Sequence, residues 1–148
     1  MDELPGSVLF ACTVNQIRSP MAEAMLKFVH GRRVFVQSAG VRPGDTVDGF
    51  AVAVMDEMGL DISTHIPRSF DALDDDFFDL VISLSPEAQH RAVELTRHSH
   101  CEIEFWPTMD PSLAQGTREQ RLEVYRDLRD ELYRRITERF RPQQAPRV

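Results

Sequence analysis

Ser7-Val8-Leu9-Phe10-Ala11-Cys12-Thr13-Val14-Asn15-Gln16-Ile17-Arg18-Ser19-Pro20-Met21-Ala22-Glu23 joins an apolar run to a helical pattern through a short polar loop. Ser7–Ala11 is unbroken by charge and too short for a buried helix, so it reads as a central parallel strand. Ser19 fits a helix N-cap, Pro20 the first helical position and Glu23 the first turn, where its charge suits the helix dipole. Met21, Ala24, Met25 and Phe28 then recur at helical spacing and read as a core face. A strand that turns through a loop into a capped helix is where backbone N–H groups can converge on an anion.

Working outward, Arg33–Ser38 carries Val34, Phe35 and Val36 and reads as a second strand ending at Ser38-Ala39-Gly40. The helical stretch between these strands suits a right-handed βαβ crossover, hence a parallel sheet. After the loop Arg42-Pro43-Gly44-Asp45, a helix is expected from Asp48 through Ala51, Val54 and Met58, stopped by Gly59 at a C′-like position. Ile62–Phe70, with Pro67, is an irregular connection carrying Ser63-Thr64-His65. Asp74-Asp75-Asp76 reads as a solvated acidic run.

Leu80–Leu84 is a third apolar strand, and Ser85-Pro86-Glu87 starts a helix that runs to about Thr96. Cys101, Ile103 and Phe105 alternate with Glu102 and Glu104, the period of a half-buried edge strand. Trp106–Gly116 is a loop holding Asp110-Pro111. From Thr117 a long helix places Leu122, Tyr125, Leu128, Leu132, Ile136 and Phe140 on one face. Arg126–Asp130 and Glu131–Arg135 stand at i,i+4 spacing on its other face. The sum is β-α-β-α-β-α-β-α, an α/β doubly wound sheet with helices on both sides. Ligands in such sheets sit beyond the carboxyl ends of the strands. Cys12, Ser38, Ser85 and Asp110 all fall there, on one rim.

The chain's 148 residues are one domain's length (1–148, with about 141–148 a frayed tail), enough for a core without staples. The net charge of -7 excludes a general nucleic-acid binder. No apolar run approaches the roughly 20 residues of a membrane span. The acidic start Met1-Asp2-Glu3-Leu4-Pro5 is unlike a secretory n-region, so a cytoplasmic location is expected. Two cysteines, Cys12 and Cys101, make neither a disulfide framework nor a metal site.

Cys12 and Arg18, followed by Ser19, form a C-x5-R-[ST] pattern. With sixteen arginines and sixteen Ser plus Thr in 148 residues, two cysteines give this match by chance in roughly 2% of cases. Its position between a strand and a capped helix sharpens it. A loop of this length can turn the N–H groups of Thr13, Val14, Asn15, Gln16, Ile17, Arg18 and Ser19 inward as an anion nest. Arg18 adds a planar fork for two oxygens of a phosphate. The positive surroundings and the helix N-terminus favour Cys12 as thiolate, the nucleophilic form, and Ser19 can hydrogen-bond the sulfur. Phosphoryl transfer to sulfur also needs a proton for the departing oxygen, and Asp110 is the candidate to supply it.

Val8 through Ala24, together with Ser38-Ala39-Gly40, the Gly59–His65 segment and Asp110-Pro111, resembles the low-molecular-weight protein tyrosine phosphatases, nearly from end to end. The resemblance implies a three-layer αβα fold whose four-stranded parallel sheet has the order 2-1-3-4. It implies a phosphomonoesterase of the protein-tyrosine-phosphatase type that works through a cysteinyl-phosphate, with Cys12 as nucleophile, Arg18 as transition-state clamp, Asp110 as general acid and base, and Asn15 as the residue holding the loop in shape. No metal or cofactor is implied. The implied substrate is a phosphorylated protein or a small phosphomonoester; no nucleic-acid or membrane partner is expected, and the oligomeric state is left open.

Three departures from the family pattern stand out. Val14 replaces a frequent glycine, Ile17 replaces a second loop cysteine, and Ser112-Leu113 replaces tyrosines that wall a phenyl ring. A disulfide from Cys12 to position 17 is therefore ruled out. An aromatic wall would have to come from Phe50, Trp106 or Phe70, each of which also reads as core. Two rival functions remain. Arsenate reduction on the same fold would need an external thiol, because Cys101 lies outside the usual relay region. A non-catalytic phosphate- or phosphopeptide-binding module would have no use for the acid Asp110.

Overall fold

A computed structural model describes residues 4–73, 78–97 and 99–141. The acidic run Asp74-Asp75-Asp76 and most of the expected tail lie outside the described residues. The strands are β1 (Ser7–Cys12), β2 (Phe35–Gly40), β3 (Leu80–Ser83) and β4 (Glu102–Phe105). The helices are α1 (Arg18–His30), α2 (Gly49–Asp56), α3 (Pro86–Leu95) and α4 (Arg118–Arg139). All strand pairs are parallel, and the sheet order is β2-β1-β3-β4. This is the α/β doubly wound sheet read from the residues, in the 2-1-3-4 order that the family resemblance implied.

The pleat divides the sheet's side chains into two cores. Val8, Phe10, Val36, Leu80 and Ile82 face one way and join Met21, Met25 and Leu26 of α1 with Leu122, Leu128, Leu132 and Ile136 of α4. Leu9, Ala39 and Val81 face the other way and meet Ala92 of α3 and Phe78. Three layers result, with α1, α2 and α4 on one face and α3 on the other. Among the described residues no helix is long and apolar enough to cross a membrane.

Helix ends follow the expected chemistry in three of four cases. The Asp48 carboxylate accepts from the N–H groups of Phe50 and Ala51. The Ser85 hydroxyl accepts from Ala88 N–H, and Thr117 and Gln120 form a reciprocal capping box. Gly59 holds φ +78°, the left-handed geometry of a helix stop.

The start of α1 departs from expectation. Its N-cap position is Ile17, with no side-chain cap, so Ser19 is not the N-cap and Glu23 lies beyond the first turn. The Ser19 hydroxyl is engaged elsewhere, by Asn15 and Cys12.

Phe28 is 65% exposed, not core. The buried stripe of α1 runs through Met21, Ala22, Met25 and Leu26, and Phe28 falls off that face. β2 begins two residues later than expected and extends to Gly40, so Ser38 lies within it, not after it. On α4, Arg126 does not pair with Asp130. It reaches across to Glu57 at the C-cap of α2, with Glu119 and Glu123 beside it, because the Glu57 carboxylate accepts from Nε and Nη2 as a bidentate fork. Glu131 and Arg135 do meet, at 3.7 Å.

Candidate active site

The loop after β1 is shaped from its outer side. Val41 N–H donates to the carbonyl of Cys12, Arg42 to Thr13, Gly44 to Val14 and Asp48 to Gln16. The segment leading into α2 thus takes the loop's carbonyls outward. The N–H groups of Thr13, Val14, Gln16, Ile17, Arg18 and Ser19 donate to no protein acceptor among the described residues. Six open donors on one short loop at a helix N-terminus are an arrangement suited to receiving an oxyanion. Gly40 is required beside it, since a Cβ there would stand 2.9 Å from Asn15 N and from the carbonyl carbon of Val14.

Cys12 lies at the bottom, 1% exposed. Its sulfur accepts from Asn15 N–H at 3.2 Å and lies 2.9 Å from Ser19 Oγ. Ser19 Oγ already accepts from Asn15 Nδ2 at 2.7 Å, which leaves its proton for the sulfur. Two donors therefore converge on Sγ, as an anionic sulfur would accept them.

Asn15 makes the loop possible. It sits at φ +56°, where an L residue other than glycine is uncommon and asparagine is the best tolerated. Its amide Nδ2 donates to Ser19 and Ser38, and its Oδ1 accepts from Arg68 N–H and His65 Nε2. Ser38 Oγ donates in turn to the buried Glu23, which also holds Lys27. The Glu23–Ser38–Asn15–Ser19 chain fixes the loop from below through fully partnered polar groups, which makes it rigid.

Composition and spacing give Glu23 and His65 no site role, and place Ser38 only on the rim. Their sequence signals are the short landmarks Ser38-Ala39-Gly40 and Ser63-Thr64-His65, which announce no chemistry. Only the fold brings them under the loop.

His65 is half-buried, and its pKa is lowered from the ordinary 6.5, first by desolvation, with the Glu23 charge opposing and Arg68 and Lys27 assisting. Because the folded value lies below the unfolded one, the unfolded chain takes a proton that the folded chain refuses. Stability is therefore full above pH 6.5 and declines as the pH falls below it toward the folded value. His65→Gln keeps a donor near Asn15 and removes the titration. We expect the thermal midpoint to fall less on acidification in this variant than in wild type. Parallel melting curves from pH 7 downward would sink the assignment.

Arg18 is 8% exposed, and its Nη1 donates to the carbonyls of Thr108 at 3.0 Å and Leu84 at 3.4 Å. Leu84 follows β3, and Thr108 follows β4. The arginine therefore ties the phosphate-type loop to the segment that carries Asp110. Among the described residues its Nε and Nη2 have no protein partner, and they remain for an oxyanion. Thr13 Oγ1 donates to Ser85 Oγ, a further tie to the end of β3.

Asp110 is half-buried at the start of a short 3-10 turn, Pro111–Leu113. Its Oδ1 accepts from the backbone and hydroxyl of Ser112. That pairing orients the carboxyl and leaves Oδ2 for another partner.

Ile17 is buried in the main core, and Trp106 lies there too, packed against Phe10. Of the three candidate wall rings only Phe50 stands beside the loop, two residues from Asp48. Phe70 lines a separate cleft of about 550 Å3 on the α3 side, together with Cys101. The register pairs Val8, Leu80 and Glu102, so Cys101 lies at the opposite end of the sheet from Cys12. Five residues along and two strands across is about 19 Å, far beyond the ~7 Å limit for a disulfide. Burial pushes the Cys101 thiol pKa up, and Asp79 and Glu102 add to this. Among the described residues no group of three His, Cys, Asp or Glu side chains could hold a metal ion.

Known proteins share both the sequence and the fold. The chain is 34% identical over 134 residues to an arsenate reductase of Bacillus subtilis, covering 88% of this chain and 92% of the relative. It is 31% identical over 129 residues to a glutaredoxin arsenate reductase of Synechocystis, covering 87% and 92%. The crystal structure of a low-molecular-weight protein tyrosine phosphatase from T. tengcongensis superposes with TM-score 0.74 at 29% identity, covering 89% and 95%. The family model for low molecular weight phosphotyrosine protein phosphatases matches residues 7–139, from the first residue of β1 to the last of α4. A match of that extent, on that fold and around that loop, identifies the chain as a member of the low molecular weight phosphotyrosine protein phosphatase family.

Proposed function

We propose that the chain hydrolyses phosphomonoesters, a phosphorylated protein or a small ester, through a covalent intermediate on Cys12. The Cys12 sulfur attacks phosphorus in line with the leaving oxygen. The P–O bond breaks, and Asp110 gives its proton to that oxygen. Water then attacks the cysteinyl-phosphate, with Asp110 taking its proton, and the S–P bond breaks to release inorganic phosphate and the thiolate. The open N–H groups of Thr13, Val14, Gln16, Ile17, Arg18 and Ser19, with the Arg18 fork, hold the equatorial oxygens in both steps, while Asn15, expected from the sequence to join them, keeps its N–H on the sulfur. One observation carries the reading. The arginine that closes the loop around Cys12 also grips Thr108, two residues from Asp110, so nucleophile and acid are set by one side chain.

The names of the curated relatives favour a second reading, arsenate reduction. Here Cys12 attacks arsenic and water leaves. An external thiolate then attacks the Cys12 sulfur, the S–As electron pair passes to arsenic, and arsenite departs. The mixed disulfide on Cys12 is reduced by a second external thiol. The thiols must come from outside, because Cys101 cannot reach Cys12. A glutathione- or glutaredoxin-type donor fits that requirement.

Two assays on the purified protein separate the readings: turnover of para-nitrophenyl phosphate, and arsenite formation with glutathione and glutaredoxin. Phosphate release without arsenite formation supports the hydrolase, and the reverse supports the reductase. Activity in neither assay would leave a binding module. For the hydrolase, Asp110→Asn is expected to lower kcat/KM about 100-fold on esters with poor leaving groups. The loss should be much smaller with para-nitrophenyl phosphate, whose leaving group departs without a proton. An equal loss on both would remove Asp110 from the acid role.

A further inference from the structure

Phe50 stands at the edge of the phosphate-type loop, and what covers it is charged. Asp48, which begins α2, donates its N–H to the carbonyl of Gln16. Two residues on, the Phe50 ring packs edge-on against Tyr125, with ring centroids 5.4 Å apart. Over its exposed face lie two guanidinium groups from the first turn of α4, Arg121 at 4.7 Å and Arg118 at 5.8 Å from the ring centroid. Residues three apart on a helix share one face, so both arginines reach the same ring. With Asp48 and Gly49 they line an open cleft of about 450 Å3.

These arginines differ from those further along the helix. Arg126, Arg129, Arg134, Arg135 and Arg139 each meet a carboxylate within 4.0 Å. Among the described residues Arg118 and Arg121 meet none. The one carboxylate in their cleft is committed, since Asp48 Oδ1 caps α2 and Oδ2 accepts from the Tyr125 hydroxyl. A chain with net charge -7 thus keeps two unpaired cations, held in place by an aromatic face, at the edge of its oxyanion loop.

We propose that Arg118 and Arg121 form a second anion subsite. It takes the carboxylate of an aspartate or glutamate flanking the phosphorylated residue of a protein substrate. The proposal rests on the phosphatase reading and names its substrate class. A carboxylate laid between the two guanidinium groups accepts from both, and the Phe50 ring shields one side of the pair from water.

The test compares kcat/KM for two phosphotyrosine peptides, one with acidic flanks and one with those residues amidated. Wild type should prefer the acidic peptide about fivefold at low salt. The preference should shrink near ~0.5 M salt, where exposed charges are screened. In the Arg118→Gln/Arg121→Gln double variant the ratio should fall to about one. In Arg118→Glu/Arg121→Glu it should reverse toward a lysine-flanked peptide. Taking the ratio within each variant cancels any loss of folded enzyme.

Equal rates on both peptides in wild type, or a ratio unmoved by the double substitution, overturns the subsite. Failure of wild type to turn over para-nitrophenyl phosphate, which has no flanks, overturns the phosphatase reading instead. The subsite is then judged by calorimetric binding of the same two peptides to Cys12→Ser. Equal affinities there also overturn it.

Discussion

Cys12→Ser is expected to abolish turnover, by at least about 10⁴-fold in kcat/KM, while leaving the fold and oxyanion binding in place. The substitution changes one atom, sulfur to oxygen, at a position that is 1% exposed at the edge of the main core. The six open N–H groups and Arg18 are untouched, so inorganic phosphate should still bind. The donors from Asn15 N–H and Ser19 are arranged to hold a negative charge on sulfur. A serine hydroxyl at the same site holds its proton too tightly to use them. Measurement of kcat/KM beside a phosphate-binding titration separates loss of chemistry from loss of the site. Retained turnover would remove Cys12 from the reaction under both the hydrolase and the reductase readings. A fall in phosphate affinity as large as the fall in rate would mean that the loop had collapsed.

The expected loss is a joint property of residues that the linear sequence separates widely. The strand-loop-helix around Cys12 is legible locally, because periodicity, a short polar interruption and the Cys12–Arg18 spacing all lie within one window. The sheet's alternation is legible for the same reason, and its order follows from the family resemblance. Other features are set by tertiary contacts that no window contains.

Ser19 looks like a cap because Ser-Pro usually is one. Here its hydroxyl is claimed by Asn15 and the sulfur, and α1 starts uncapped at Arg18. Glu23 looks like a first-turn carboxylate favouring the dipole, yet it is buried and holds Ser38 and Lys27. His65 sits in an irregular connection that signals nothing until it folds beneath Asn15. Arg126 chooses Glu57 over its own helix neighbour Asp130, a choice that depends on where α2 packs. Ser19, Glu23 and His65 meet beneath the loop, where local preference yields to the demands of a polar network that must be fully satisfied, whereas Arg126 and Glu57 lie apart on the exposed side of α4.

The family departures can be placed in the same terms. Ile17 in place of a second loop cysteine is a core residue, 7% exposed, packed in the main apolar cluster. It contributes volume where a thiol would contribute redox chemistry. With Cys101 at the far end of the sheet, Cys12 has no internal partner for a disulfide. Val14 is not among the described residues at positive φ, so the backbone there does not call for glycine, and its carbonyl accepts from Gly44 N–H. The valine side chain instead adds bulk to the half-buried rim.

Arg18→Lys is the second large loss expected, about 10³-fold in kcat/KM, although charge is conserved. The guanidinium does two things at once. Its Nη1 holds the carbonyls of Thr108 and Leu84, while among the described residues Nε and Nη2 have no protein partner and are free to grip an oxyanion. A lysine ammonium carries three donors on a single nitrogen and cannot grip two protein carbonyls and two phosphate oxygens in one plane. It must either keep the Thr108 segment in register with Asp110 or reach the substrate.

Since the fork is complementary to oxygens that spread toward the trigonal bipyramid of the transition state, the loss should fall on kcat as well as kcat/KM. Pentavalent vanadate, which adopts that geometry, should lose far more affinity in Arg18→Lys than tetrahedral phosphate does. Inhibition constants for the two anions, measured beside the kinetics, test the assignment. Equal losses would make Arg18 a ground-state anchor, and a variant within tenfold of wild type would remove the clamp altogether.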